Sequence, residues 1–374
     1  MKKILFIFGT RPEAIKVAPV INIFKNDSAN IQTLVAVTAQ HREMLDQVLS
    51  VFEIVPDYDL DLMSKNQTLA SLTGKIMKET TDLLTKIQPD FVIVQGDTTT
   101  TFAASLAAFY HKVPVAHVEA GLRTRNIYSP FPEEVNRRIT SSIASLHFSP
   151  TEQAKHNLVN EGFDEQTIKV TGNTVIDALL AVSRKIKSDT SLYEEKLSNE
   201  YGINFDTKKM ILVTGHRRES FGKPFESICN AIKHVAKNNC VEIVYPVHMN
   251  PNIQETANSI LSGISNVHLI QPQDYTTFIF LMQKAYLILT DSGGVQEEAP
   301  SLGKPVLVLR STTERQEGVI AGTTRLVGTD CQTIITQVEI LLNNKIEYEK
   351  MAQAVNPYGD GNASKRIFNS IING

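Results

Sequence analysis

The chain is poor in the features that announce several functional classes. It has 3 cysteines in 374 residues, and Cys229, Cys240 and Cys331 lie too far apart for a compact metal motif and show no disulfide framework. They read as small buried apolar residues in a reducing compartment, and no metal site is expected. Charge of one sign is equally scarce, since 37 Lys and Arg against 40 Asp and Glu leave a formal net charge of -3. That balance argues against a general nucleic-acid or membrane-surface binder, so an anionic ligand must be held by local cations. Long apolar runs are missing too. The opening "MKKILFIFGTRPE" imitates a signal peptide, but only "ILFIF" is apolar before Gly9, Arg11 and Glu13 end the run. No run reaches the length of a membrane span, which points to a cytoplasmic protein without membrane contact. Neither a repeat nor a low-complexity tract is present.

What is present is a succession of short, apolar, β-branched runs. The first set is "KILFIF" (3–8), "QTLVAV" (32–37), "FVIVQ" (91–95), "VPVAHV" (113–118), "SLHFS" (145–149) and "IKV" (168–170). The second is "MILVT" (210–214), "VEIVYPV" (241–247), "VHLI" (267–270), "AYLILT" (285–290), "PVLVL" (305–309) and "RLVG" (325–328). Strands buried on both faces and alternating with helical segments are the signature of parallel α/β sheets. The expectation is two Rossmann-like, doubly wound parallel-sheet domains facing a cleft, over residues 1–175 and 176–355, with the helix at 356–374 packing back on the first. The polar stretch 184–209 has no strand pattern and separates the two sets.

Such sheets bind ligands at the carboxyl ends of their strands, so the residues after each run carry the argument. "GTRPEAIK" follows the first run, with Pro12 suited to a first helical position and Arg11 and Lys16 adding cations near a helix start that attracts anions. Its spacing is neither G-x-G-x-x-G nor a Walker loop, so phosphate binding and a plain strand-to-helix turn both remain open. "GDTTTT" places Asp97 at a strand end, as a functional carboxylate or a helix cap. "HVEAGLRTRNIYSPFPEEVNRR" places Glu119 at the next strand end and Glu133, Glu134, Arg137 and Arg138 at the opening of a helix announced by Pro132. Acidic first turns and i,i+4 pairs such as Glu133 with Arg137 also occur as surface features. Three carboxylates at neighbouring strand ends are harder to treat so, because uncompensated charges converging on one place are unfavourable.

In the second half, "TGHRRESFGKP" puts His216, Arg217 and Arg218 after a strand, as a phosphate clamp or a surface loop. "YPVHMN" offers His248, for which a structural role is the simpler reading. "DSGGVQEEAPSLGKP" (291–305) sets Ser292, Gly293 and Gly294 where a hydroxyl and bare amides can hold a diphosphate. Glu298, six residues past Ser292, lies about 9 Å further along at about 1.5 Å per residue, within reach of a ribose diol. A glycine turn followed by an acidic helix start is the alternative. The whole suggests a UDP-sugar enzyme of the glycosyltransferase-B architecture, and fold alone does not choose the reaction.

The motifs "FGTRPEAIK", "VTAQHREMLDQVL", "GDTTTT", "HVEAGLRT", "PEEVNRR", "TGNTVIDALL", "TGHRRESFG", "YPVHMNP", "LTDSGGVQEEAPSLGKPVLVLR" and "NPYGDGNAS" together resemble the non-hydrolysing UDP-N-acetylglucosamine 2-epimerases, nearly end to end. The chain departs from that pattern at Gln95, where His is expected, at Ala116, where Gly is usual, and at Gln316, where Pro is usual. The resemblance implies epimerisation at C2 of UDP-N-acetylglucosamine without a cofactor. It implies acid/base roles for Asp97, Glu119 and Glu133, and diphosphate contacts from His216, Arg11, Ser292, Gly293 and Gly294. Glu298 would bind the ribose, and Lys16 and Arg137 would orient the carboxylates or phosphate. It further implies a homodimer and a second, activating UDP-N-acetylglucosamine held by Gln40, Glu43, Glu134, Arg217 and His248, with the product feeding cell-surface polysaccharide. A hydrolysing relative, a glycosyltransferase of the same fold and a UDP-sugar sensor are the alternatives.

Overall fold

The segment "KKILFIF" forms a strand whose last five residues are buried, and it lies inside a sheet, not at its edge. The structure is a computed structural model that describes residues 1–39, 42–62, 67–205, 208–215, 217 and 221–373, with the backbone alone for Arg42 and Glu43. The chain divides into two units, Met1–Ala178 with Gly359–Gly374, and Leu179–Tyr358. The first division falls inside the helix Thr174–Ser188.

The strands of the first unit are β1 (Lys2–Phe8), β2 (Ile31–Val37), β3 (Tyr58–Asp59), β4 (Phe91–Gln95), β5 (Val115–Val118), β6 (Leu146–Ser149) and β7 (Ile168–Val170). They pair in parallel in the order β3-β2-β1-β4-β5-β6-β7. In the second unit β8 (Lys209–Thr214), β9 (Val241–Pro246), β10 (Val267–Ile270), β11 (Leu287–Thr290), β12 (Val306–Val308) and β13 (Thr324–Leu326) form a parallel sheet in the order β10-β9-β8-β11-β12-β13. Both units are therefore doubly wound α/β sheets. The strand order reverses between β1 and β4 in one and between β8 and β11 in the other. At such a reversal the outgoing loops diverge to opposite faces and leave a crevice beyond the strand ends.

Each apolar run expected as a strand forms one. The additional strand, β3, is two residues long at a sheet edge and pairs only with Ala36 and Val37, so it has no apolar run to announce it. The cysteines differ from one another. Cys229 is buried, its thiol pushed up to about 12 by burial and by Glu226, whereas Cys331 is half-buried and Cys240 is exposed. Among the described residues no helix is long and apolar enough to cross a membrane.

The closing helix Ala363–Asn373 joins the first unit through apolar packing and a carboxylate. Phe24 meets Phe6 edge to face at 5.4 Å and Phe368 at 5.0 Å, where each buried ring contributes roughly 1.5–3 kcal/mol. Asp177 accepts the amides of Ala363 (3.2 Å) and Ser364 (2.8 Å), which satisfies two donors that a helix start otherwise leaves unpaired.

Candidate active site

The loop after β1 turns into the helix Arg11–Asn26 through a capping box. Glu13 Oε2 accepts the amides of Gly9 (3.1 Å) and Thr10 (2.8 Å), and Thr10 caps the amide of Glu13. The anion at this helix start is thus the chain's own carboxylate, which takes the Gly9 and Thr10 amides. Burial raises the pKa of Glu13, opposed by donors from Thr98, Thr10 and Gly9. Arg11, not Pro12 as expected, occupies the first helical position, and Pro12 follows it in the first turn, where its missing amide hydrogen costs no intrahelical bond. Lys16, a turn and a half further on, places Nζ 2.5 Å from Glu119 Oε1.

Asp97 follows β4, but it does not cap the next helix. Thr98 does so for the helix Thr99–Tyr110, accepting the amide of Thr101 at 3.2 Å. Asp97 is left to accept a hydrogen bond from Arg137 Nη2, while Asn136 Nδ2 holds its carbonyl at 2.9 Å. Burial raises the Asp97 pKa and outweighs the Arg137 charge; Glu119 pushes the same way, and Lys16 opposes it.

Glu119 follows β5 with φ 68°, a left-handed conformation that is unfavourable for a non-glycine residue and recurs at functional sites. Its second oxygen accepts a hydrogen bond from Gln95 Nε2, so one of the three residues that depart from the resembled pattern is a direct partner of a candidate catalytic carboxylate. The helix Glu133–Ile143 supplies the remaining groups. Glu133 Oε2 is buried without a hydrogen-bond partner. Arg137 is buried and joins Asp97 and, at 3.4 Å, Glu134, so it is no surface partner of Glu133. Glu134 is fully buried and accepts from the amides of Thr124 (3.0 Å) and Arg125 (3.2 Å) and from Arg138 Nε (2.9 Å). Burial pushes its pKa up, but these donors with Arg137 outweigh that and hold it below the usual range.

In the second unit, Asp291 follows β11 and ties down the residues after β8. Its Oδ2 accepts the amide of Arg217 at 2.8 Å, Arg217 Nε donates to its carbonyl at 3.3 Å, and Tyr245 holds the Gly215 carbonyl at 3.1 Å. Ser292 is the cap residue of the helix Gly293–Glu298, yet its side chain makes no capping hydrogen bond. A Cβ on Gly293 would stand 2.9 Å from Cζ of Arg315, so the absence of a side chain there admits the guanidinium. Arg315 is oriented by Glu297, which accepts from Nε at 2.8 Å, and its loop is fixed by the Thr313 hydroxyl on Gln296 at 2.7 Å. The Glu298 carboxylate turns back along the helix, its Oε2 3.7 Å from where a Cβ on Gly294 would lie, because helical side chains point toward the N-terminus. The distance expected from backbone rise alone therefore overstates its separation from Ser292.

His248 is exposed, and its Nδ1 accepts the amide of Asn250 at 3.1 Å. Gln40, His216 and Arg218 lie outside the described residues, as does the side chain of Glu43. The structure thus joins Lys16, Asp97, Glu119 and Arg137 in one charged cluster and sets Arg217, Ser292, Gly293, Gly294 and Glu298 about the ends of β8 and β11. Sequence reasoning missed Gln95 and Arg315 as partners of these groups, and Glu13 beside them. For Glu13 the T-x-x-E spacing of Thr10 was the available signal.

Two parallel-sheet α/β units with buried carboxylates beside cations at one set of strand ends and a Ser-Gly-Gly turn at the other define a nucleotide-sugar enzyme. A family model described as UDP-N-acetylglucosamine 2-epimerase matches residues 24–372. The UDP-N-acetylglucosamine 2-epimerase of Escherichia coli (strain K12) is 56% identical over 372 residues, covering 99% of this chain and 98% of that protein. That of Salmonella typhimurium is 55% identical over 370 residues, covering 99% and 98%. The structure is similar to that of the Neisseria meningitidis UDP-GlcNAc 2-epimerase bound to UDP-GlcNAc, with TM-score 0.88, 52% identity and 100% of both chains covered. The chain belongs to the UDP-N-acetylglucosamine 2-epimerase family, and its activity is that of an isomerase.

Proposed function

We propose that the chain interconverts UDP-N-acetylglucosamine and UDP-N-acetylmannosamine by eliminating UDP and adding it back. The C2 hydrogen of the sugar lies beside an acetal carbon and is hardly acidic, so direct removal is too slow. As the bond from C1 to the diphosphate oxygen breaks, positive charge at C1 makes the C2 proton removable. A carboxylate takes that proton, the C–H electron pair forms the C1–C2 double bond, and UDP leaves with the C–O pair, giving 2-acetamidoglucal. Protonation at C2 from the opposite face and return of UDP to C1 invert the centre. The sequence of steps needs a base, an acid and cations for the leaving group.

The observation that carries this reading is the cluster of Asp97, Glu119, Lys16 and Arg137, with the unpaired Glu133 oxygen supplied by the helix that carries Arg137. A carboxyl whose pKa is raised by burial, as at Asp97, holds a proton more readily than an ordinary aspartate. Ser292, Gly293, Gly294 and Arg315 suit the diphosphate and Glu298 the ribose, with Arg11 and His216 assisting departure. A homodimer, an activating second UDP-N-acetylglucosamine at Gln40, Glu43, Glu134, Arg217 and His248, and a product destined for cell-surface polysaccharide complete the proposal. Within the activating set, Glu134 acts through the loop it holds, since its oxygens already accept from Thr124, Arg125, Arg137 and Arg138.

The test is proton NMR of UDP-N-acetylglucosamine with the protein in deuterium oxide. A manno signal with deuterium at C2 and UDP attached is expected. Free sugar with UDP would indicate hydrolysis, and an unchanged spectrum would move the assignment to an acceptor-dependent transferase or a sensor.

A further inference from the structure

Glu13 has no part in the chemistry above, yet it is 2% exposed and its carboxylate gathers donors from two loops. Oε2 takes the amides of Gly9 and Thr10, and Oε1 takes the Thr98 hydroxyl at 2.6 Å. Thr101 Oγ1 is 3.1 Å from the same Oε1 but 2.6 Å from the Gln95 carbonyl, and a hydroxyl has one hydrogen to give. Thr98 is therefore the firm donor across the loops. A capping box uses only the contacts to the Gly9 and Thr10 side. The Oε1 contact is additional, and it lands on the residue next to Asp97.

We infer that Glu13 is a positioning residue, whose carboxylate clamps the loop before Arg11 and Lys16 to the loop that presents Asp97. The inference rests on the reading of Asp97 as a proton-transferring group. The start of the Arg11–Asn26 helix sets where Lys16 stands, and the Lys16 charge acts on Asp97, so slack between the two loops alters both the position and the electrostatic setting of the reacting carboxylate. Charge-assisted hydrogen bonds are about twice as strong as neutral ones, which is what an anionic clamp adds over an amide.

Glu13→Gln keeps the cap, because its amide oxygen can face Gly9 and Thr10, but it turns an amide NH2 toward Thr98. Thr98→Val removes the same link from the other side but also the cap on Thr101, so Thr98→Gly, a tolerated cap residue without a hydroxyl, accompanies it, and Thr98→Ser retains both link and cap. The measurement is kcat and KM for C2 deuterium incorporation, with folded fraction by circular dichroism and UDP affinity by calorimetry. We expect E13Q and T98V each to lower kcat about tenfold in fully folded protein, with KM and UDP affinity within threefold. The double variant should be no slower than the slower single, and T98S should match the parent. Unchanged kcat in folded E13Q and T98V, losses that multiply in the double variant, or losses that only track the folded fraction would overturn the inference. Should E13Q not fold, Thr98→Val and Thr98→Gly against Thr98→Ser decide by the same kcat criterion. Asp97→Asn run alongside separates the two levels. If it still turns over, the reading of the site fails, whereas an inactive Asp97→Asn with unimpaired E13Q and T98V removes only the clamp.

Discussion

Lys16 Nζ stands 2.5 Å from Glu119 Oε1, a pairing that reaches from the helix after β1, past the end of β4, to the loop after β5. The side chains are 19% and 8% exposed, so most of the desolvation has already been incurred and the partners compensate each other. Lys16→Met leaves Glu119 with Gln95 as its remaining donor. Loss of one partner of a fully buried pair costs about 3–5 kcal/mol, and the exposure of Lys16 reduces this to about 1–3 kcal/mol. Urea unfolding should show that loss in Lys16→Met and a partial recovery in the double variant with Glu119→Gln, in which position 119 carries no stranded charge. Neither should recover C2 exchange. A double variant less stable than Lys16→Met would mean that the pair is not the source of the loss.

Asp97 and Glu133 differ in what surrounds them, and both should be needed. Asp97→Asn and Glu133→Gln should each lower kcat by about 10²–10⁴ with UDP affinity within threefold, since the proposed mechanism gives both carboxylates proton transfer and leaves the nucleotide contacts to other residues. The pH profile adds a sign. Burial, with Glu119, raises the Asp97 pKa, so its limb in kcat/KM lies above the ordinary aspartate range. Activity falls toward acid through that pKa if Asp97 removes the C2 proton, and falls toward alkali if it delivers one. Either way the limb should vanish in any residual activity of Asp97→Asn. A limb that persists would belong to another group.

Two buried histidines make the first unit acid-sensitive. His117 and His147 face each other in register on β5 and β6, 0% and 1% exposed, and the Nδ1 of each has no hydrogen-bond partner. His117 Nε2 donates to the Gly96 carbonyl at 2.7 Å. Burial lowers their pKa values from 6.5 to about 3 for His117 and about 4 for His147. Both stay neutral in the fold while the unfolded chain takes up protons below pH 6.5, so stability is full above that pH and is lost as pH falls. Each contributes a slope of about 1.4 kcal/mol per pH unit between 6.5 and its folded pKa. Urea midpoints at pH 6.5, 5.5 and 4.5 should fall less steeply in His147→Asn than in the parent. Parallel slopes would show that His147 titrates alike in both states.

The strands were legible because a strand buried on both faces must be an apolar run, and β1 or β8 has no other reading. β3 was not, because two residues at an edge carry no pattern. The strand-end rule found Asp97, Glu119 and Ser292 from local sequence alone. What the two carboxylates touch was hidden, because Asp97 and Arg137 are 40 positions apart and Glu119 and Lys16 are 103 apart. Thr98 shows the limit well. Whether Asp97 or its neighbour caps the next helix depends on which side chain is claimed elsewhere, and Arg137 claims Asp97. Arg137 in turn was read against Glu133 by helical spacing, whereas burial turned it to Asp97 and Glu134.

Gly293 and Arg315 offer a test confined to the nucleotide side. A Cβ at Gly293 would meet Cζ of Arg315 at 2.9 Å and Nε at 3.2 Å, the far end of a flexible side chain, and not backbone. The backbone of Gly293→Ala can therefore keep its place while the guanidinium swings away and gives up Glu297. The fold should lose no more than about 1 kcal/mol, because the pair is partly exposed. UDP affinity by calorimetry should fall about tenfold, the contribution of one charge-assisted contact to a phosphate. Arg315→Met should reproduce the loss, and adding Gly293→Ala to it should make little further difference, since the residue the methyl displaces is already gone. Additive losses would mean instead that the methyl obstructs the diphosphate itself, with Arg315 acting apart from it.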